Sequence, residues 1–354
     1  SFVTLTYLAP LLGGVLADRV LGQLRSVFIG TALLAGGYAV LCVQERIALY
    51  AGLFMIILGH GLFKPAIAAV IANRYPRLDS RKESAFIVFF LAIQLGAALA
   101  PLGALTAPAL LGWRASFAAS TAAMGLALLV LSGQRGLRQP LPASEAELPP
   151  RWSALLVAYL IGTLHFAAAI ALKASLPQFA REHVDLTLGG EFPRPLAVSL
   201  LQGSEVIFQT LLAPIVLLGL SLLRRRRVEL SVVATIGIGM VLVVLPCLLM
   251  IRAALQADQG SPVSMLWVLG AYLAVALPNL LLTPMMLVLI SQLVPRRHLS
   301  TAFALWFAVH VVSTKAANAL MASKSELSQP LWYGGLGALA LLATGLWISQ
   351  VRKI

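Results

Sequence analysis

Lys64 lies in the middle of a long apolar stretch, and its chemistry needs an explanation. The stretch runs from Ala48 to Ala72 and is long enough to cross a bilayer. A charged side chain at that depth costs at least about 2.5 kcal/mol unless it meets a partner, water or a substrate. His60 lies one helical turn before Lys64 on the same face. Both residues are therefore candidates for binding an anionic group or for moving a proton.

Other polar side chains are predicted at a similar depth in separate apolar runs. At about 1.5 Å per helical residue, Gln94, Glu205 and Asn279 fall in the broad middle of their runs. Transporters built from repeated halves place their binding sites in this zone. Lys173 and Lys315 lie closer to the outer ends, where we expect them to reach the lipid headgroups.

The composition excludes a water-soluble protein. Hydrophobic residues make up 60% of the 354-residue chain and charged residues 11%, whereas soluble proteins contain about 25% charged residues. The net charge of +13 does not indicate nucleic-acid binding, because the basic residues lie in short loops without interleaved aromatics. No Cys/His cluster and no nucleophile with a matching base is apparent. We therefore predict no enzyme activity, metal or cofactor.

Eleven apolar runs are long enough to form membrane helices. Five precede a proline-rich polar linker at 134–151 and six follow it. We therefore expect an N-terminal helical half at 1–133, a linker at 134–151 and a C-terminal helical half at 152–354. The runs are 1–17, 26–44, 48–72, 84–111, 114–133, 153–176, 196–222, 228–251, 263–293, 299–322 and 331–350.

The basic residues in the loops predict the orientation. Loops on one side carry 17 of the 26 Lys and Arg residues and loops on the other side carry six. By the positive-inside rule, the linker and the C-terminus face the cytoplasm. Six spans, a cytoplasmic linker and six spans is the plan of transporters with two repeated halves. The first half here has five runs, so we expect that a first helix has been lost, from the gene or from this chain.

The stretch YLAPLLGGVLADRVLGQLR (7–25) combines small and charged residues at a fixed spacing. It resembles the G-x-x-x-D-R-x-x-G-x-x-R loop of the major facilitator superfamily. An aspartate at a helix end that faces arginines makes a breakable charge contact between helices that slide past each other. The residues to which we assign this gating role are Gly14, Asp18, Arg19, Gly22 and Arg25.

Three further segments resemble the proton-dependent oligopeptide transporter (POT) family. GHGLFKPAIAAVIANRY (59–75) is similar to its G-N-G-x-F-K-P-N-I-S signature, and RKESAFIVFFLAIQLGAALAPL (81–102) resembles the helix that follows. NLLLTPMMLVLISQLVPRRHLSTAFALWF (279–307) resembles its E-L-L-x-S-P-x-G helix. The resemblance covers essentially the whole chain. It implies an all-α major facilitator fold and proton-coupled symport of di- or tripeptides, or of a related zwitterion, by alternating access.

The resemblance also implies site residues. In relatives, the lysine that matches Lys64 pairs with carboxylates of the first helix and with the peptide carboxylate. Relatives hold the peptide amino group between an asparagine and a glutamate, and the aligned positions here are Glu205 and Asn279, so the pair is exchanged. Gln94 matches an asparagine of the family, and Trp306 matches a pocket aromatic.

The departures from the family pattern leave alternatives open. The E-x-x-E-R sequence of the first helix is absent, and Ile170 aligns with the glutamate of the seventh helix. The alternatives to the symporter are a transporter of another organic solute or anion, and a transport-inactive remnant. In each case we expect a multi-pass protein of a bacterial inner membrane. For the symporter, the partners are a small-molecule substrate, protons and the lipid bilayer.

Overall fold

Helices form nearly all of the structure. This computed structural model describes residues 2–43, 45–134, 149–185, 194–226 and 230–350, with side chains except at 3, 98–111, 185, 194–197 and 224. A backbone in hydrocarbon must pair its own N–H and C=O groups, which a helix achieves within one segment. The helices are α1 (Phe2–Leu16), α2 (Gln23–Leu41), α3 (Arg46–Asn73), α4 (Arg81–Gly133), α5 (Trp152–His183), α6 (Arg194–Arg225), α7 (Val232–Leu242), α8 (Val244–Asp258), α9 (Met265–Leu293), α10 (Leu299–Ala322) and α11 (Gln329–Gln350).

Short elements complete the described chain. A π-helical turn, Ala17–Leu21, connects α1 to α2, and 3-10 turns occupy Arg296–His298 and Lys324–Glu326. β1 (Val184–Asp185) pairs in parallel with β2 (Val263–Ser264). These two-residue strands join the loops after α5 and before α9.

The predicted membrane spans agree with the helices. Ten helical segments among the described residues are long and apolar enough to cross a membrane. The remaining predicted run, 84–111, is the first part of α4, and it ends where Gly112 adopts a φ of 77°. A positive φ breaks the helix at a residue without a Cβ. The predicted runs 84–111 and 114–133 are therefore two helical segments on either side of this break.

The described chain divides into two compact units. The first consists of Ser1–Lys82, Leu99–Trp152 and Leu287–Val311, and the second of Glu83–Ala98, Ser153–Met286 and Val312–Ile354. Linker residues 135–148 and C-terminal residues 351–354 lie outside the described residues. The predicted boundary between two helical halves stays a prediction.

In the first unit, α2 and α3 pack through glycines. A Cβ on Gly30 would lie 3.0 Å from the carbonyl oxygen of Gly59, and a Cβ on Gly37 would lie 2.9 Å from that of Gly52. Small residues spaced in this way allow membrane helices to approach closely, so that their backbones come into contact. This packing fixes the position of α3, which carries Lys64 and His60.

In the second unit, α5, α8, α9 and α11 surround an apolar core. Phe179, Met250, Tyr272 and Tyr333 are among its buried members. Large apolar side chains also lie on the outer surface, for example Leu160, which is 71% exposed. Exposed apolar surface of this extent is typical of a membrane-embedded protein.

Candidate functional site

The packing of α1 against α3 places an aromatic ring beside Lys64. Pro65 has no N–H, so it cannot donate to the Gly61 carbonyl four residues earlier. A Cβ on Gly13 would overlap that carbonyl oxygen, so the glycine allows α1 to come close to α3. The Lys64 Nζ lies 4.3 Å from the ring centroid of Tyr7. This is a cation–π contact.

Lys64 keeps its capacity to bind an anion. Its side chain is half-buried. Among the residues that the structure describes, no carboxylate forms an ion pair with it. An aromatic ring stabilises an ammonium group much less than a desolvated carboxylate does. The site therefore has an ammonium group in the apolar part of the chain that lacks a counter-ion in the described residues.

His60 and Trp306 have different surroundings, although both belong to the first unit. The Nδ1 atom of His60 is buried and has no hydrogen-bond partner among the described residues. Trp306 is 1% exposed, and its ring centroid lies 5.2 Å from that of His310. Trp306 is therefore a packed side chain next to a second histidine, and the proton-transfer role of His60 stays a prediction.

The gating motif places Asp18 against the start of α10. Its carboxylate accepts hydrogen bonds from the backbone N–H of Ser300 at 3.1 Å and of Thr301 at 2.7 Å, and from the Thr301 hydroxyl at 2.8 Å. Amides in a first helical turn have no helical acceptor, and the helix dipole favours an anion there. Arg19 and Arg25 are exposed. A helix terminus thus contacts Asp18 where we expected an arginine.

The two glycines of the motif explain this contact. A Cβ on Gly14 would lie 2.6 Å from the carbonyl oxygen of Ser300 and 2.7 Å from the Cβ of Ala304. Gly14 therefore allows α1 to approach α10 and brings Asp18, one turn later, to the α10 N-terminus. Gly22 has a φ of 78° and ends the π-helical turn before α2.

Basic residues between α3 and the first turn of α4 bind carbonyl and carboxylate groups. The Arg77 guanidinium donates to the carbonyl oxygen of Gln292 near the end of α9, where the helix dipole is negative. Lys82 donates to the Arg77 carbonyl at 3.2 Å. Arg81 donates to Asp79 at 2.7 Å and holds the pKa of that carboxyl below its usual value. These residues, which are among the basic residues that predict the orientation, also order the loop.

Glu205 is the centre of a polar cluster in the second unit. It is 6% exposed. Its Oε1 accepts a hydrogen bond from Asn279 Nδ2 at 2.9 Å and another from Gln209 Nε2 at 3.0 Å. Gln209 follows Glu205 by one turn of α6, and Asn279 lies on α9. The structure therefore brings the exchanged glutamate and asparagine into direct contact.

Lys173 supplies the cation for this carboxylate. Its Nζ lies 2.8 Å from each of the two Glu205 oxygens. The expectation that Lys173 reaches the headgroups is therefore wrong. A buried carboxylate without a cation is strongly destabilising, and Lys173 of α5 is long enough to reach Glu205 on α6.

Gln94 joins the same cluster through a second amide. Its Nε2 donates to Gln209 Oε1, so a chain of hydrogen bonds runs from α4 through α6 to α9. Of this cluster, Gln94, Glu205 and Asn279 were candidates from the sequence, whereas Lys173 and Gln209 were missed. The spacing of four residues from Glu205 to Gln209 was the available signal for the second of these.

Comparison with known proteins shows a similarity to the POT family. The model of the POT family matches residues 24–148. The uncharacterised transporter YclF of Bacillus subtilis (strain 168) is 26% identical over 419 residues, which cover 99% of this chain and 84% of the relative. The peptide transporter YePEPT of Yersinia enterocolitica is 25% identical over 390 residues, which cover 88% of this chain and 76% of the relative. The chain is therefore similar to the POT family over residues 24–148 and to transporters over most of its length.

The fold agrees with this similarity. A crystal structure of a POT family transporter in complex with a thioalcohol-conjugated peptide matches with a TM-score of 0.71 at 19% identity, over 99% of this chain and 86% of that one. The chain is therefore an all-α, multi-pass membrane protein with the major facilitator fold. Since the matched relatives are transporters, the prediction that it is not an enzyme is confirmed.

Proposed function

We propose that this protein carries small peptides across the membrane together with protons, by alternating access. The observation that carries the proposal is the contact between Glu205 and Asn279, with 2.9 Å between Oε1 and Nδ2. A carboxylate in an apolar surrounding binds an ammonium group strongly, and an adjacent amide oxygen offers a further acceptor. The α-amino group of a peptide has this chemistry.

Lys64 supplies the second kind of group that a zwitterion needs. Its ammonium lies against the Tyr7 ring and can bind the terminal carboxylate of a peptide. Glu205, in the second unit, complements the opposite charge of a zwitterion, its ammonium group. A zwitterion carries both of the groups that these two residues complement by charge, whereas a simple anion carries one, so we favour a zwitterion as the substrate class.

The relatives support peptides within that class. The Yersinia enterocolitica relative is named a peptide transporter, and the solved POT family structure contains a conjugated peptide. These likenesses favour peptide symport over the transport of another solute and over a transport-inactive remnant. We assign Gln94 to the positioning of Gln209, and His60 and Trp306 to the surroundings of Lys64, where His60 is the candidate for proton transfer.

Uptake into liposomes tests this function. The full-length gene product, purified and reconstituted, is expected to accumulate radiolabelled dialanine when the lumen is made alkaline relative to the outside. A protonophore should abolish the accumulation, and a sodium gradient should not replace the proton gradient. Uptake that does not depend on the proton gradient contradicts proton-coupled peptide transport, and so does uptake for which simple carboxylates outcompete dialanine.

The orientation belongs to the same proposal. The charge bias in the loops places the 134–151 linker and the C-terminus in the cytoplasm of a bacterial cell. In a variant whose Cys42 and Cys247 are replaced by serine, cysteines introduced at Ser144 and Ile354 should resist a membrane-impermeant thiol reagent in intact cells. A cysteine at Gly190 should react. All three introduced positions lie outside the described residues, and labelling at Ser144 from outside contradicts the span assignment.

A further inference from the structure

The two oxygens of Glu205 have unequal partners. Oε1 accepts hydrogen bonds from Asn279, Gln209 and Lys173. Among the described residues, Oε2 contacts the Lys173 ammonium, at 2.8 Å. Oε1 is thus held by two side-chain amides in addition to the lysine, whereas Oε2 depends on the lysine.

The partners of Glu205 also differ in how deeply they are buried. Gln209 is 1% exposed, and the Glu205 side chain is 8% exposed. The side chain of Lys173 is 39% exposed, and its four-carbon stem can move the ammonium towards water. Gln209, which also accepts a hydrogen bond from Gln94, is therefore a fixed partner of the carboxylate, and the lysine is the partner that can leave.

We propose that Glu205 forms an ammonium-binding site and that Lys173 occupies it until the ammonium group of a substrate takes its place. The lysine ammonium and the terminal ammonium of a peptide have the same charge and the same three donors. That the replacing group belongs to a peptide rests on the proposed function. That the site takes an ammonium group rests on the contacts of Glu205.

This exchange has two consequences for transport. A resident lysine lowers the apparent affinity for the substrate by the fraction of time that it occupies the site. It also closes on Glu205 after the substrate has left, so the carboxylate is not left without a cation in an apolar surrounding. A compound whose amino group is acetylated cannot replace Lys173 and is excluded.

Thermal unfolding in detergent tests the site without any transport assay. Lys173→Ala is expected to unfold at a lower temperature than the native protein, and methylammonium chloride is expected to restore much of the loss. An equal concentration of sodium chloride should not. Lys173→Ala combined with Glu205→Gln should not respond to methylammonium, because the carboxylate is gone. Lys315→Ala removes an exposed lysine of α10 and is the matched control, with no expected response.

Dialanine separates this inference from the proposed function. If Lys173 occupies the site about nine-tenths of the time, Lys173→Ala should bind dialanine about tenfold more tightly than the native protein does. N-acetyl-dialanine should gain nothing. Rescue by methylammonium without any binding of dialanine supports the ammonium site and contradicts peptide transport.

Two results overturn the inference. One is that methylammonium fails to stabilise Lys173→Ala, and the other is that it stabilises the double variant equally. Weaker dialanine binding by Lys173→Ala also overturns it, because the lysine then helps to bind substrate and does not compete with it. If the alanine variant does not fold, Lys173→Met keeps the apolar stem and allows the same comparison.

Discussion

Replacement of Lys64 by alanine is expected to reduce proton-driven dialanine uptake about 100-fold or more, as loss of one partner of a desolvated charge pair does. The variant loses the ammonium that lies against Tyr7 and that we assign to the peptide carboxylate. It should still insert normally, because removal of a charge from an apolar span lowers the cost of insertion. Initial uptake rates in proteoliposomes, divided by the amount of reconstituted protein, give the measurement.

Two further variants sharpen the Lys64 result. Lys64→Arg should also fail, since a planar guanidinium does not replace a compact ammonium. Lys315→Ala removes an exposed lysine from another span and should leave uptake unchanged. If Lys64→Ala transports dialanine at the native rate, Lys64 has a structural role only.

Glu205→Gln is expected to reduce dialanine uptake by a similar factor, about 100-fold or more. Glutamine keeps the size of the side chain but removes the charge that attracts the ammonium group. The released Lys173 side chain is 39% exposed, so it can turn to water and the variant should remain folded. Glu182→Gln, at an exposed carboxylate near the end of α5, is the control and should transport normally.

Exchange of the two residues tests their geometry. Glu205→Asn combined with Asn279→Glu returns a carboxylate and an amide to positions that contact each other at 2.9 Å in the native protein. Because residues in contact are energetically coupled, we expect about a tenfold gain in uptake over Glu205→Asn alone. A double variant as inactive as the single one, in a protein that prefers simple anions, contradicts the exchanged pair.

The spans were predictable because their signal is local. A run of about 20 apolar residues has few alternatives to a membrane helix, and even the break at Gly112 coincides with the predicted gap between two runs. The Glu205–Asn279 pair was predictable from the family pattern, since equivalent positions in a shared fold occupy the same place. Lys64 was visible because a charge is rare in so apolar a stretch.

The pairing of polar side chains was not predictable, because it depends on side chains from different helices. Distance along a span placed Lys173 near the headgroups, yet the same side chain reaches the buried Glu205 carboxylate on α6. A buried carboxylate without a cation is strongly destabilising. The arginines near Asp18 are close in sequence, but Gly14 brings the first amides of α10 closer in space.

The sequence by itself thus determined the membrane spans, the resemblance to the POT family and three members of the polar cluster, since apolar length, motif spacing and rare charges are properties of single segments. Only the tertiary structure decided that Lys173 neutralises Glu205, that Gln209 links it to Gln94 and that Asp18 meets a helix terminus. Each of these contacts either joins segments that are far apart in the chain or pairs a side chain with one of several polar neighbours. The packing of the helices makes that selection, because it decides which polar side chains come within hydrogen-bond distance.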